Sequence, residues 1–128
     1  MSSSVPLRVM AGRYAVCRMA AGTALPGWAT AGPFFAMVAT PDEVSIVCVA
    51  EQVPPDVKQE TGWRLLQIIG PLDFALTGIL AAVAVPLAQA EISIFALATF
   101  DPDYILLRED KLVAALDVLR AAGHTVQD

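Results

Sequence analysis

An uncharged run, FALTGILAAVAVPLAQA at residues 74–90, most constrains how this chain can fold. A membrane-spanning helix needs about 20 apolar residues, and this run is slightly shorter and is closed by Asp73 and Glu91. It also contains Pro86 and a large share of alanine. These features favour a buried helix of a soluble protein over a membrane span. Because the N-terminal MSSSVPLRVM lacks the long apolar segment of a signal peptide, we expect a cytoplasmic protein.

The apolar residues of this run recur at helical spacing, which predicts one buried stripe of a helix over residues 74–88. The stripe consists of Leu76, Ile79, Leu80, Val83 and Leu87. Asp73 stands where an N-cap belongs, since its carboxylate can accept hydrogen bonds from the first free N–H groups. Pro86 removes one helical hydrogen bond, so we expect the last turn to bend or loosen.

The second half of the chain shows a regular order of elements around this helix. WRLLQIIG at 63–70 indicates a buried strand, ISIFALAT and DYILLRE indicate two more, and EDKLVAALDVLRAAG indicates a second helix that ends at Gly123. HTVQ can add a last short strand. The order β-α-β-β-α-β is that of a split β-α-β sandwich, an antiparallel sheet with helices on one face.

The first half reads as a shorter version of the same pattern. LRVMAGRYAVCRM offers one or two strands, ALPGWAT at most a helical turn, FFAMVAT and EVSIVCVA two strands, and EQVPPDVKQETG a loop. ATPDEVSIV at 39–47 also aligns with ATFDPDYIL at 98–106, within the same strand–turn–strand context. The sequence therefore predicts an α+β fold of two diverged copies of one module, a degenerate one at residues 1–62 and a complete one at 63–128.

Composition limits the classes of function. The net charge is −5 and the eight Lys and Arg residues are scattered, so nucleic-acid binding is not expected. Two cysteines without a CxxC pair and a single histidine speak against a metal site. We expect Cys17 and Cys48 to be buried thiols in a reducing compartment, and His124 to lie at the surface or at a strand edge. Neither a catalytic set nor a cofactor motif is evident.

The string GPLDFALTGILAAVAVPLAQAEISIFALATFDPDYILLRED resembles the ACT-domain family. It is most similar to the small tandem-ACT branch, which is similar to the ACT halves of cytosolic arginine sensors. The resemblance covers residues 63–123 well and the first half in outline. It implies two tandem ACT-like modules of ferredoxin-like βαββαβ type, with a regulatory, non-catalytic role in binding an amino acid or a related metabolite. Since tandem ACT chains tend to assemble into larger module sets and the chain is 56% hydrophobic, we also expect a homodimer.

The same resemblance implies where a ligand binds. One half of the site would be the first strand–helix turn and the helix start, and the other half the loop that faces them. In the arginine sensors an acidic residue stands in the place of Asp103 and meets the cationic part of the ligand. Carried over to this sequence, the site residues are Gly70, Leu72, Asp73, Gly78, Ile79, Thr99, Phe100 and Asp103.

Plainer interpretations of these residues stay open. Asp73 can be only an N-cap, Asp101-Pro102-Asp103 only a turn, and Gly78 only a packing contact. Two other classes of function stay open as well. One is a protein-interaction module without a ligand, and the other is a small acid–base enzyme in which Asp73 and Asp103 pair in an apolar pocket.

Overall fold

The computed structural model describes residues 4–69 and 78–128 of the chain. Contacts divide the chain into two compact units, an N-terminal unit of Gly12–Trp63 and a C-terminal unit of Met1–Ala11 with Arg64–Asp128. In the described residues no helix is both long and apolar enough to cross a membrane. The division of the sequence into repeats at 1–62 and 63–128 stays a prediction. In space, residues 1–11 group with the C-terminal half.

The described elements follow one another in an α+β order. They are β1 Pro6–Val9, β2 Tyr14–Ala20, β3 Ala36–Ala39, β4 Glu43–Val49, β5 Lys58–Ile68, α1 Ile79–Gln89, β6 Ile94–Ala98, β7 Asp103–Arg108, α2 Leu112–Ala121 and β8 Thr125–Gln127. Three short 3₁₀ turns lie at Gly27–Thr30, Ala50–Gln52 and Glu109–Lys111.

The N-terminal unit is a split β-α-β module whose helices are reduced to turns. Its strand order is β3-β4-β2-β5, and the β3–β4, β2–β4 and β2–β5 pairs are antiparallel. The 3₁₀ turns Gly27–Thr30 and Ala50–Gln52 stand in the two helix positions. Proline explains both reductions, since Pro26 and Pro33 flank the first turn and Pro54 and Pro55 follow the second. The prediction of a degenerate first module is confirmed.

The C-terminal unit has the predicted order of strand, helix, two strands, helix and strand, from β5 to β8. Its sheet carries one strand more than predicted, because β1 pairs antiparallel with β5 and parallel with β8. The resulting order is β6-β7-β5-β1-β8. With only the residues PLRV, β1 is too short for its partner strands to be read from the sequence.

The core of the C-terminal unit lies between this sheet and the two helices. Val83 and Leu87 of α1 and Ala115, Leu116 and Leu119 of α2 are buried against it. The prediction for Leu80 is wrong, because its side chain is 39% exposed. Helix α1 begins at Ile79 with Gly78 in the N-cap position, whereas Leu76 and the predicted cap Asp73 lie outside the described residues.

Two further expectations are corrected. The predicted loop at 51–62 ends earlier, since β5 begins at Lys58. Its first residues alternate between exposed and half-buried and carry charges on the exposed side, which conceals a strand from a hydrophobicity pattern. His124 is not a surface residue, because it is only 5% exposed.

Hydrogen bonds to both ring nitrogens explain the burial of His124. Its Nδ1 accepts from the backbone N–H of Val5 at 3.0 Å, and its Nε2 lies 2.7 Å from the backbone oxygen of Ala82. Since Nδ1 is an acceptor, the proton sits on Nε2, which donates to Ala82. In a regular helix the Ala82 oxygen would accept from residue 86, but Pro86 has no N–H. The imidazole therefore replaces the helical hydrogen bond that Pro86 removes.

Candidate functional site

The hairpin between β6 and β7 holds the predicted loop half of the site. The backbone N–H and the hydroxyl of Thr99 donate to the backbone oxygen of Pro102, at 3.2 and 2.5 Å respectively. Phe100 is 78% exposed at the tip. Asp103 is half-buried as the first residue of β7, and it pairs with Ala98 across the hairpin. The structure thus gathers Thr99, Phe100 and Asp103 in one hairpin.

The hairpin between β3 and β4 is the equivalent turn of the N-terminal unit. Thr40 donates from its N–H and its hydroxyl to the Glu43 oxygen, and Ala39 pairs with Val44. This register matches the sequence alignment of 39–47 with 98–106 residue for residue. Asp42 corresponds to Asp101, whereas buried Val44 corresponds to Asp103. An aspartate inside the turn is therefore common to both units, and an aspartate at the start of the following strand belongs to the second unit alone.

The start of α1 holds the described helix part of the site. Gly78 has a φ of 79° and provides no side-chain cap to the helix, so the first N–H groups of α1 receive no capping side chain from it. A Cβ at Gly78 would meet none of the described residues within 4 Å, and the positive φ is by itself a reason for glycine there. Ile79 is half-buried. Gly70, Leu72 and Asp73 lie outside the described residues.

The strand order relates these two places. β5 and β6 lie on either side of β7 and are joined through α1. A strand–helix–strand connection of this type brings the chain back to the end of the sheet where it started, so β5 and β6 run in the same direction. The chain leaves β5 toward α1 and leaves β6 into the Thr99 hairpin at that same end. The topology of one unit thus puts the α1 start and the Thr99 hairpin at the same end of the sheet, with β7 between the two strands that lead to them.

Two cavities in the described part of the chain contain none of the predicted site residues. One, of about 420 Å³, is lined by Gly12, Arg13 and Val49–Glu51, and another, of about 450 Å³, lies beside Ala84 and Ala88 at the end of α1. Over residues 4–69 and 78–128 no group of His, Cys, Asp and Glu is arranged to hold a metal ion.

The two thiols are not activated as nucleophiles. Cys17 lies opposite Ile46, and Cys48 opposite Ala15, so the two side chains are diagonal neighbours on the buried face of the β2–β4 pair. Burial raises the pKa of Cys48 to about 12 and also raises the pKa of Cys17, although the hydrogen bond from Cys48 opposes the shift at Cys17. Both sulfurs are therefore protonated at neutral pH, which removes thiolate chemistry.

Fold and sequence agree on the class of protein. A family model described as the ACT domain matches residues 58–121, and a second model that describes an N-terminal domain matches residues 12–56. The chain belongs to the ACT-domain family.

Its relatives include a named sensor. The chain is 37% identical over 95 residues to the human protein "Cytosolic arginine sensor for mTORC1 subunit 1" and 35% identical over 99 residues to the rat protein. These matches cover 68% and 71% of the chain but only 29% and 30% of the relatives. The chain thus spans less than a third of the length of the curated relatives it matches.

Solved structures share the fold over almost the whole chain. A protein of Agobacterium tumefaciens is 38% identical, with a TM-score of 0.93 and coverage of 98% of this chain and 93% of that one. A Vibrio cholerae protein of unknown function, described as a possible transport protein, is 26% identical with a TM-score of 0.76, covering 93% and 90%. The regulatory subunit of aspartate kinase from Thermus thermophilus, at 11% identity and a TM-score of 0.62, covers 95% and 99% and shows the same fold.

Proposed function

We propose that this protein is a regulatory, non-catalytic sensor that binds an amino acid or a related metabolite in the cytoplasm. The observation that carries the proposal is the arrangement of the C-terminal unit, in which the α1 start and the Thr99 hairpin share one end of the sheet. Membership in the ACT-domain family and the similarity to cytosolic arginine sensors support the same role.

The two halves of the proposed site suit the two ends of an amino acid. The N-terminal end of α1 offers N–H groups and partial positive charge to a carboxylate, and no described residue comes within 4 Å of a Cβ placed at Gly78. Asp103 offers a carboxylate to the ammonium or guanidinium group of the ligand. The repeat supports this assignment, since Val44 of the N-terminal unit, which is apolar, stands at the position that corresponds to Asp103.

The other residues of the proposed site are Gly70, Leu72, Asp73, Ile79, Thr99 and Phe100.

A thermal-shift screen of amino acids tests the proposal, because a ligand that binds only the folded state raises Tm. The selected ligand is then titrated into the Asp103→Asn variant and into Asp101→Asn, the matched control from the same hairpin. A charge-assisted hydrogen bond is worth about 1.5–3 kcal/mol, so Asp103→Asn should weaken binding roughly tenfold to a hundredfold, and Asp101→Asn should not.

Two results would contradict parts of this proposal. Equal loss of affinity in both variants, or in neither, would make the hairpin only a turn. If millimolar amino acids and related metabolites leave Tm unchanged, the ligand-sensor role fails. The C-terminal unit would then be better explained as a protein-interaction module.

We further propose that the protein forms a homodimer through the outer face of α1. No charged residue occurs between Gly78 and Ala90, although Leu80, Val85 and Ala88 on this helix are exposed. A helix that is apolar on all sides is normally covered on all sides. A second copy supplies a matching apolar face about a twofold axis, as in most soluble oligomers.

A further inference from the structure

The open face of the N-terminal unit carries two cations side by side. In β2 and β5, Arg18 lies directly opposite Lys58, and on the other side of β2 it lies opposite Ser45 of β4. Because side chains alternate along a strand, these three side chains stand in one row on one face of the sheet. The buried residues Cys17 and Ile46 occupy the other face, so this row faces away from the core.

The charges in this row are unbalanced. Like charges directly opposite each other on paired strands destabilise the pair. Arg18 is relieved by Glu43, whose Oε2 lies 3.3 Å from its Nη1, and Ser45 donates to Oε1 of the same carboxylate at 3.4 Å. Among the described residues Lys58 has no ion-pair partner, and the nearest carboxylate on its own strand is that of Glu60, two residues along the same face of β5.

A cavity of about 210 Å³ opens at this row. A depression of this size has room for a small organic acid of a few non-hydrogen atoms. Its lining combines the cations with apolar surface and with carboxylates at two edges, from Val16, Arg18, Glu43, Ser45, Lys58 and Glu60.

We propose that this cavity is a second ligand site, which binds the carboxylate group of a small molecule between Arg18 and Lys58. The guanidinium and the ammonium donate to the carboxylate oxygens, and the Ser45 hydroxyl turns from Glu43 to the ligand. Binding removes the repulsion between the two cations. The site shares no residue with the α1 start or the Thr99 hairpin, and it does not depend on the sensor function proposed above.

The flanking acids give the site a preference. Glu43 and Glu60 border the cavity on β4 and β5, where they repel a second negative charge and attract an ammonium group. Monocarboxylates therefore bind better than dicarboxylates, and zwitterions such as β-alanine bind better than simple acids such as propionate. The order β-alanine, propionate, succinate expresses this preference, and sulfate serves as an inorganic anion without a carboxylate.

Amide NMR titrations with these four compounds test the site. The expected result is a shift of the amides at 16–18, 43–45 and 58–60 in the preferred order, with a loss of about tenfold or more in affinity in Lys58→Gln. Lys111→Gln, at an exposed lysine of the other unit, is the matched control and binds as the parent does. Since Lys58→Gln removes a like-charge contact, it keeps or raises Tm in the absence of ligand, which separates loss of binding from unfolding.

Three outcomes would overturn the proposal. These are no shift at these amides with millimolar β-alanine, equal affinity for sulfate and β-alanine, or equal affinity of Lys58→Gln and the parent. Asp103→Asn should leave the NMR titration of the Arg18–Lys58 cavity unchanged. Lys58→Gln should leave unchanged the rise in Tm that a ligand of the hairpin site causes. A failure of either site is thus distinguishable from a failure of the other.

Discussion

His124 shows how one side chain can compensate for a residue that is unfavourable within a helix. Proline inside a helix costs about 3 kcal/mol or more, partly because the oxygen four residues before it loses its donor. Here that oxygen, on Ala82, receives the Nε2 proton of His124 at 2.7 Å, while Nδ1 satisfies the N–H of Val5. A lone histidine in the sequence gives no sign of this pairing, because its partner is determined only by the packing of α1 against the end of α2.

We predict that His124 and Pro86 are energetically coupled. His124→Leu leaves two buried backbone groups unsatisfied and should lower the free energy of unfolding by about 2–5 kcal/mol. In a Pro86→Ala background the new N–H of residue 86 can supply Ala82, so the same substitution should cost about 1–3 kcal/mol less. Urea unfolding of the parent, both single variants and the double variant measures this coupling. Additive effects would show that His124 does not serve the Ala82 oxygen.

The buried thiols predict an alkaline dependence of stability. Unfolded thiols ionise above about pH 8.5, whereas Cys48 in the folded protein has a pKa of about 12. Between these two values the unfolded state loses the thiol proton and the folded state keeps it. The contribution of Cys48 to stability is therefore complete below about pH 8.5 and is lost as pH rises toward 12. The free energy of unfolding should therefore fall across this window, and it should fall less steeply in Cys48→Ala. Parallel pH profiles of the two proteins would refute the assignment.

At the scale of elements, the two hairpins show what a repeat keeps and what it changes. Thr40 and Thr99 donate to the equivalent oxygens of Glu43 and Pro102. The Thr40 hydroxyl also accepts from the N–H groups of Asp42 and Glu43 at 3.2 and 3.0 Å. At the second hairpin, Pro102 has no N–H for the equivalent bond to Thr99.

This difference predicts unequal effects of the same substitution. Thr→Val keeps the shape of the side chain and removes its hydrogen bonds, each worth about 1 kcal/mol. Thr40→Val should therefore lower the free energy of unfolding by about 1–2 kcal/mol more than Thr99→Val. Urea unfolding of the two variants checks the order, and an equal or reversed order would mean that the extra bonds of Thr40 add no stability.

The sequence predicted elements where periodicity is strong and failed where partners are distant or short. The order of β5 to β8, the existence of α2 and the reduced helices of the first unit were all accessible from spacing, proline and glycine. The insertion of β1 between β5 and β8 was not, since a parallel partner more than a hundred residues away leaves no local signal. Leu80 fits the helical spacing but is exposed, because periodicity identifies an apolar face and not what covers it.

The candidate sites divide in the same way. Thr99 and Asp103 were predicted from a resemblance, and the register of the two hairpins now distinguishes Asp103 from the shared turn residue Asp101. The Arg18–Lys58 row could not be found in the sequence. Lys58 lay in a stretch that its proline and charge content made look like a loop, and only the β2–β5 register aligns it with Arg18.

For the whole molecule, the exposed apolar surface of α1 leads to the last prediction. Val85 is 50% exposed on a helix without a charged residue, whereas Val113 is 75% exposed on α2, next to Asp117 and Lys111. Burying a charge in an apolar interface is costly, so Val85→Glu should convert a dimer into a monomer. Val113→Glu, the matched control, should leave the dimer intact because α2 already has a charged outer face. Light scattering at micromolar concentration reports the mass of each variant, and a parent protein of monomer mass would contradict the dimer.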